Sequence, residues 1–340
     1  MREFTGYQKG VNLGGWLSQC CHEKEHYETF IEEKDIATIA AWGVDHVRLP
    51  IDYVVVQNEE GELLTEGFSY IDRCIQWCDA HGLNLILDLH KTQGFAFDSG
   101  EFDFFGQEEL QNRFYALWER LAQLYGSYHE KVSFELLNEI TDKKYAEIWN
   151  KIARNTIQII RRHAPKTHIL LGGVWNNSID ALEFLEAPLD DRIIYNFHYY
   201  GPLLFTHQKA YWIPTMSSEF TIDYPAGREE YITGARNNLS PDLTLSLEQY
   251  DKADIDRLYL EHQLAIAERI SRERNVPVYC GEYGVINLVE GSRAIQWYRD
   301  MHSVFEKFQI GRSIWSYKEM DFGLIDEERR EILPELITLL

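Results

Sequence analysis

The seven residues 134–140, FELLNEI, form a short apolar run that carries Glu135 and then ends in the polar pair Asn138-Glu139. A carboxylate and an amide at the end of a buried strand are costly unless a partner or a reaction uses them. The surrounding sequence says which fold would place them there. β-type runs recur along the chain: KGVNLGG (9–15), DHVRLP (45–50), LNLILDLH (83–90), VSFELLNE (132–139), HILLGG (168–173), RIIYNFHYY (192–200), PVYCGEYG (277–284) and GRSIWSY (311–317). Helix-period segments separate them, at about residues 26–42, 68–81, 108–125, 143–164, 179–185, 254–274 and 292–308, with a short helix at the end. The strands are apolar on both faces, as in a parallel sheet covered by helices. Eight strand–helix units predict an α/β protein of the (β/α)8 TIM-barrel type rather than a doubly wound sheet. No Gly/Ser/Pro linker divides residues 1–340, which are read as a single domain. The longest departure from regularity, residues 199–250, is expected to be a loop insertion after the sixth strand that shapes a substrate cleft.

Composition narrows the partners. The formal net charge of -22 argues against nucleic acid, whose binders carry a basic footprint, and against an anionic membrane surface. A neutral substrate fits. Nine Trp, twenty Tyr and seventeen Phe supply a core and leave rings to line a cleft. Cys20, Cys21, Cys74, Cys78 and Cys280 have neither a disulfide-framework nor a zinc spacing. There is no P-loop and no dinucleotide fingerprint, so no cofactor and no metal are expected. The start, MREFTGYQKG, lacks the apolar core of a signal peptide, and no apolar run has membrane length. The chain is therefore read as cytoplasmic or as a trimmed secreted enzyme, and as a monomer.

In a TIM barrel, catalytic groups sit at the C-terminal ends of the strands. On that frame the second strand ends near Arg48, the third at His90 and the fourth at Asn138-Glu139. The sixth ends at His198 and Tyr200, the seventh at Glu282 and the eighth at Trp315. Each has an ordinary structural reading: an ion-paired arginine, a satisfied histidine, a core tryptophan. Their coincidence at one end of the barrel favours catalysis.

Glu139 and Glu282 belong to different strand–helix units, and two facing carboxylates are the machinery of glycoside hydrolysis. One protonates the leaving oxygen and the other attacks the anomeric carbon; carboxyl groups about 5–5.5 Å apart give retention through a covalent intermediate. The acid needs a raised pKa and the nucleophile a lowered one. Arg48 is expected to keep the nucleophile ionised and Tyr200 to donate to it. Asn138 is expected to reach a sugar hydroxyl, and Trp315 to stack on the reacting sugar.

The stretches GVNLGGWLSQ, DHVRLPIDY, LILDLH, FELLNE, YNFHYYGPLLFTHQKAYW, PVYCGEYGVI and SIWSYKEMDF, spanning about residues 10–322, resemble glycoside hydrolase family 5. Within that family they are most similar to the clostridial endoglucanase C type, which cleaves β-1,4-glucans and mixed-linkage β-1,3-1,4-glucans. The resemblance implies Glu139 as acid/base and Glu282 as nucleophile, with Arg48, His90, Asn138, His198, Tyr200 and Trp315 as the remaining signature. It also implies substrate contacts for His207 and Trp212 in the segment FTHQKAYW, and a β-glucan as partner. Lys91, following His90, departs from the family pattern and bears on preference among glucans. Three alternatives stand beside this reading. One is a family 5 β-mannanase or exo-β-1,3-glucanase using the same glutamates. The second is a metal-dependent barrel hydrolase built on His90 and His198, disfavoured because GVNLGG has no H-x-H pair. The third is a non-catalytic carbohydrate-binding barrel, disfavoured by the presence of both glutamates.

Overall fold

The computed structural model describes residues 2–340. Eight parallel strands close a barrel: β1 (Lys9–Asn12), β2 (His46–Asp52), β3 (Asn84–Lys91), β4 (Val132–Glu135), β5 (Ile169–Gly172), β6 (Ile193–Tyr199), β7 (Val278–Tyr283) and β8 (Gly311–Ile314). Each pairs with its sequence neighbours, and β1 closes the ring against β8. Helices cover the outside. The helix Ala146–His163 shows why they do: Trp149, Ile152, Ala153, Thr156, Ile157 and Ile160 fall on one helical face and are buried.

The barrel interior is layered by strand alternation. At the N-terminal end Phe4 and Tyr7 plug the barrel against Ile86, Leu170, Ile194 and Tyr279. Above this apolar plug the inward positions turn polar. Asn12 is in register with Arg48, and Asp88 with Glu135, and all four are fully buried. The expectation of strands apolar on both faces fails here, because the inner positions nearest the mouth belong to the site rather than to the core.

β7 departs from simple alternation in a way that matters. Phe197–His198 on β6 face Cys280 and Glu282, and Arg312–Ile314 on β8 face Cys280 and Tyr283. β7 therefore carries one extra residue, a β-bulge, between Cys280 and Tyr283. With Tyr279 facing in, strict alternation would send Gly281 inward and Glu282 out; the bulge re-aims Glu282 into the barrel.

Several predicted boundaries shift. β2 runs on to Asp52, so Arg48 lies inside the strand rather than at its end. β4 stops at Glu135, and Asn138-Glu139 sit in the connection beyond it, where Glu139 takes a positive φ of 40°. The predicted helix 26–42 is two helices, Lys24–Thr29 and Glu33–Ala41, because a Glu32–Asp35 capping box starts the second. The stretch 199–250 is not a bare loop. It holds the helices Leu203–Thr206, Arg228–Asn238 and Pro241–Gln249, and Ala226–Gly227 pairs with Asp254–Ile255 in a two-stranded sheet. The two longer helices bury few apolar residues, Tyr231, Ile232 and Ala235 in one and Leu247 in the other, too few to give a clear helical period, and Leu203–Thr206 is a single turn.

Candidate active site

A cavity of about 1120 Å³ opens at the C-terminal mouth of the barrel. His90, Asn138, Glu139, His198, Tyr200, His207, Trp212, Glu282 and Trp315 all line it. Arg48 does not; it lies one layer below, fully buried.

Arg48 is the hub beneath the cavity floor. Its Nε and Nη2 donate to the two oxygens of Glu135 at 2.7 and 2.8 Å. Nη1 donates to Glu282 Oε1 at 2.8 Å and to Asn12 Oδ1 at 3.0 Å. Nη2 also reaches Asn138 Oδ1 at 2.9 Å and Asp88 Oδ2 at 3.0 Å. Glu135 receives a further donation from Asn196 Nδ2 at 2.7 Å. The carboxylate inside FELLNEI is thus the bidentate partner of Arg48. One cation faces three carboxylates, and Asp88, with one oxygen unpartnered, is pushed by burial up to about 7 despite Arg48.

Above the hub, Glu139 and Glu282 face each other across His198. One ligand-type atom from each of the three lies within 4.8 Å of the others. His198 Nδ1 sits 2.7 Å from Glu139 Oε1 and 3.6 Å from Glu282 Oε2. Burial holds His198 down at about 4, so near neutral pH it is uncharged, and Nδ1–H is the donor to Glu139. Glu282 accepts from Arg48 and, at 3.0 Å, from Tyr200 Oη. Among the described residues, Glu139 accepts in addition only from the amide of Asn176, at 3.3 Å. Burial raises the pKa of both carboxyls above the ordinary range. The expectation of a lowered value at Glu282 is corrected: desolvation outweighs its cationic neighbour. The asymmetry lies in the donors instead, since Glu282 contacts a permanent cation and Glu139 does not.

The walls complete the site. The His90 ring is parallel to that of Trp315, with centroids 5.8 Å apart, and its Nδ1–H donates to Asp88 at 2.6 Å. Gly14 of the GVNLGG run has a local purpose: a Cβ there would lie 2.8 Å from the Trp315 ring. His207 packs edge-on against Tyr200 and Trp212; burial lowers its pKa to about 3, so it serves as a neutral wall. Lys91 is held by Asp98 at 2.6 Å.

Sequence reading missed the β5 connection. Trp175, Asn176 and Asn177 all have positive φ, 55°, 55° and 50°, a conformation that asparagine tolerates and that costs a tryptophan on the order of 1–2 kcal/mol. This turn carries Asn176 to Glu139 and Trp175 to the cavity wall, where Lys143 Nζ lies 3.3 Å from its ring centroid. The only hint in the sequence was the polar ending of GGVWNN.

The sequence model of the cellulase family, glycosyl hydrolase family 5, matches residues 6–321. Cellodextrinase A of Ruminococcus flavefaciens is 41% identical over 314 residues, covering 92% of this chain and 86% of that protein. Endoglucanase C of Acetivibrio thermocellus is 38% identical over 344 residues, covering 99% of this chain and 98% of that protein. Among solved structures, Cel5A of Thermotoga maritima, crystallised with mannotriose, superposes with a TM-score of 0.75 at 25% identity, covering 97% of both chains. A mutant form of the same protein, crystallised with cellobiose, superposes with a TM-score of 0.76 at 25% identity, covering 98% of this chain and 96% of that one.

Proposed function

The chain belongs to the cellulase family of glycosyl hydrolases, family 5, and on that premise we propose a retaining endo-β-glucanase. Its substrates are the β-1,4 bonds of cellulose-type and mixed-linkage β-1,3-1,4-glucans. The observation that carries the mechanism is the facing pair Glu139 and Glu282, with one carboxylate oxygen of each within 4.8 Å. Such closeness favours direct attack by one carboxylate over the wider spacing, about 6.5–9.5 Å between carboxyl groups, that holds the water of an inverting enzyme.

The donors support a division of roles. Glu282, held by Arg48 and Tyr200, is the carboxylate that stays ionised and attacks the anomeric carbon. Glu139, desolvated and contacted only by neutral donors, keeps the shared proton and delivers it to the leaving oxygen. After departure, ionised Glu139 takes a proton from water, which then cleaves the glycosyl ester on Glu282. His198 Nδ1–H stabilises the charge that appears on Glu139. Asn138 has its oxygen committed to Arg48 and one amide hydrogen directed at His90 Nε2, 3.4 Å away, so its second N–H is left to donate to a sugar hydroxyl. Trp315 offers the stacking face, and His207, Trp212 and the residue 199–250 insertion form the outer wall of the cleft.

Glu139→Ala is expected to slow hydrolysis of cello-oligosaccharides by about 10²–10⁴-fold while affecting aryl glycosides with good leaving groups much less. Equal losses on both substrates would remove the acid role. Burial raises the Glu139 pKa, and Asn176, donating to its charged form, offsets part of that rise. Asn176→Ala should therefore shift the basic limb of the kcat/KM profile to higher pH, because Glu139 stays protonated further up the scale. A basic limb that stays in place would detach Asn176 from the acid.

The substrate assignment is tested on carboxymethylcellulose, barley β-glucan, laminarin, mannan and xylan, with product lengths resolved. Oligosaccharide ladders from the first two are expected. Release of glucose alone from laminarin would turn the assignment to an exo-β-1,3-glucanase. A second reading, a β-mannanase, draws on the mannotriose complex of the Thermotoga protein and would appear as preferential cleavage of mannan. Full activity in the presence of a chelator is expected, and its loss would favour a metal-dependent hydrolase.

A further inference from the structure

Asp88 lies beneath the cavity wall without lining it, and it is fully buried. For the fold alone it is a poor choice. Its Oδ1 has no hydrogen-bond partner among the described residues, where buried polar atoms are normally satisfied. Its register partner on β4 is a second carboxylate, Glu135, and both face the one guanidinium of Arg48. Like charges so placed oppose each other's ionisation, and an uncharged residue of the same shape would serve the barrel at least as well.

The other oxygen of Asp88 is engaged at the site. Oδ2 accepts from His90 Nδ1 at 2.6 Å and from Arg48 Nη2 at 3.0 Å. Asp88 and His90 stand two residues apart on β3, so strand alternation stacks them on one inward face. This acceptor places the His90 proton on Nδ1 and leaves Nε2 as an acceptor in turn. A proton on the free Oδ1 would still leave Oδ2 able to accept, so the tautomer does not depend on the charge of Asp88. Asn138 Nδ2 lies 3.4 Å from His90 Nε2, while Asn138 Oδ1 accepts from Arg48 at 2.9 Å. The amide is thus fixed at one end by a permanent donor and at the other by an acceptor found only in this tautomer. With the proton on Nε2, His90 would present a donor to the Asn138 NH2. Turning the amide over would then set that NH2 against Arg48, which can only donate. The His90 ring is held in line by Trp315, parallel at 5.8 Å, and by Phe97, edge-on at 5.2 Å.

Resting on the glucanase reading above, we propose that Asp88 is a positioning residue for catalysis, acting through His90 on Asn138. It sets the His90 tautomer, and the tautomer orients the Asn138 amide. The oriented amide keeps its second N–H for a hydroxyl of the reacting sugar. Hydrogen bonds of that kind strengthen in the transition state, so Asp88 contributes more to turnover than to binding of the ground state.

The test measures cellotetraose hydrolysis by Asp88→Ala, Asp88→Asn, Asn138→Ala and the double variant Asp88→Ala/Asn138→Ala. Asp88→Ala is expected to lower kcat about ten- to a hundredfold, as loss of the partner that orients a site histidine does elsewhere, with a much smaller change in KM. Asp88→Asn keeps an acceptor toward His90 and puts its NH2 where Oδ1 has no partner. It should retain most of the native kcat and melt no lower than the native enzyme. Once Asn138 is alanine, Asp88→Ala should add little, because the two residues act as one unit. The 15N shifts of the His90 ring read the tautomer directly: Nδ1–H is expected in the native enzyme and in Asp88→Asn, and its loss in Asp88→Ala. A proton on Nε2 in the native enzyme would overturn the proposal without any variant having to fold. Native kcat in Asp88→Ala, full additivity of the two alanine substitutions, or equal losses in Asp88→Asn and Asp88→Ala would overturn it as well. A native enzyme that leaves cellotetraose intact removes the glucanase reading instead, since the tautomer and the melting temperatures are read without substrate.

Discussion

Glu282→Ala is expected to lower turnover of cello-oligosaccharides by on the order of 10⁴- to 10⁶-fold, as loss of a nucleophile does elsewhere. Bulk alone does not explain such a loss, and azide distinguishes the causes. The truncated side chain opens the face of the sugar that Glu282 attacks, next to the Arg48 guanidinium that holds its carboxylate at 2.8 Å. A small anion entering there takes the place of the carboxylate. With an activated β-glucoside, azide should restore part of the rate and leave an α-glucosyl azide, the product of one inversion. A β-glucosyl azide, or no rescue together with native-like residual activity, would show that Glu282 is not the attacking group.

Arg48→Met is the substitution expected to damage the fold most. Arg48 is fully buried and contacts Asp88, Glu135 and Glu282 at 3.0, 2.7 and 2.8 Å. Removing one partner of a buried ion pair destabilises by about 3–5 kcal/mol because the remaining charge is left uncompensated. Here three carboxylates lose the cation they share, so the loss should sit at the upper end of that range, or the carboxyls should take up protons. Denaturant unfolding measured against pH reads both: the variant should regain stability as the pH falls and the stranded carboxylates are protonated. Arg48→Lys should recover part of the stability through its charge, but not the activity, because an ammonium lacks the planar fork that bonds Glu135 and Glu282 together. Native-like stability of Arg48→Met at neutral pH would refute the hub.

Much of this site was legible in the sequence because barrel topology turns strand ends into one surface. His90, Asn138, Glu139, His198, Tyr200, Glu282 and Trp315 meet at one cavity although they come from five strand–helix units. What alternation did not reveal was the bulge in β7: by simple counting Glu282 points outward, and only the extra residue between Cys280 and Tyr283 turns it in. Glu135 and Asp88 were hidden for a different reason. A buried carboxylate is readable as an anomaly, but its partner is set by register across strands distant in sequence, as with Arg48 and Glu135. The turn at Trp175–Asn177 was missed because its left-handed run begins at Trp175, which has no such preference, and the Asn-Asn pair that tolerates it was the one cue. The two longer helices within 199–250 were missed because they bury few apolar residues, and the third because it is a single turn.

Glu139 and Glu282, with one carboxylate oxygen of each within 4.8 Å, are expected to work by double displacement. Proton NMR of cellotetraose hydrolysis, followed before mutarotation, reads the configuration of the new reducing end directly. The β-anomer should appear first and the α-anomer only later, as the two equilibrate. Initial release of the α-anomer would mean a single displacement by water, and would contradict the account.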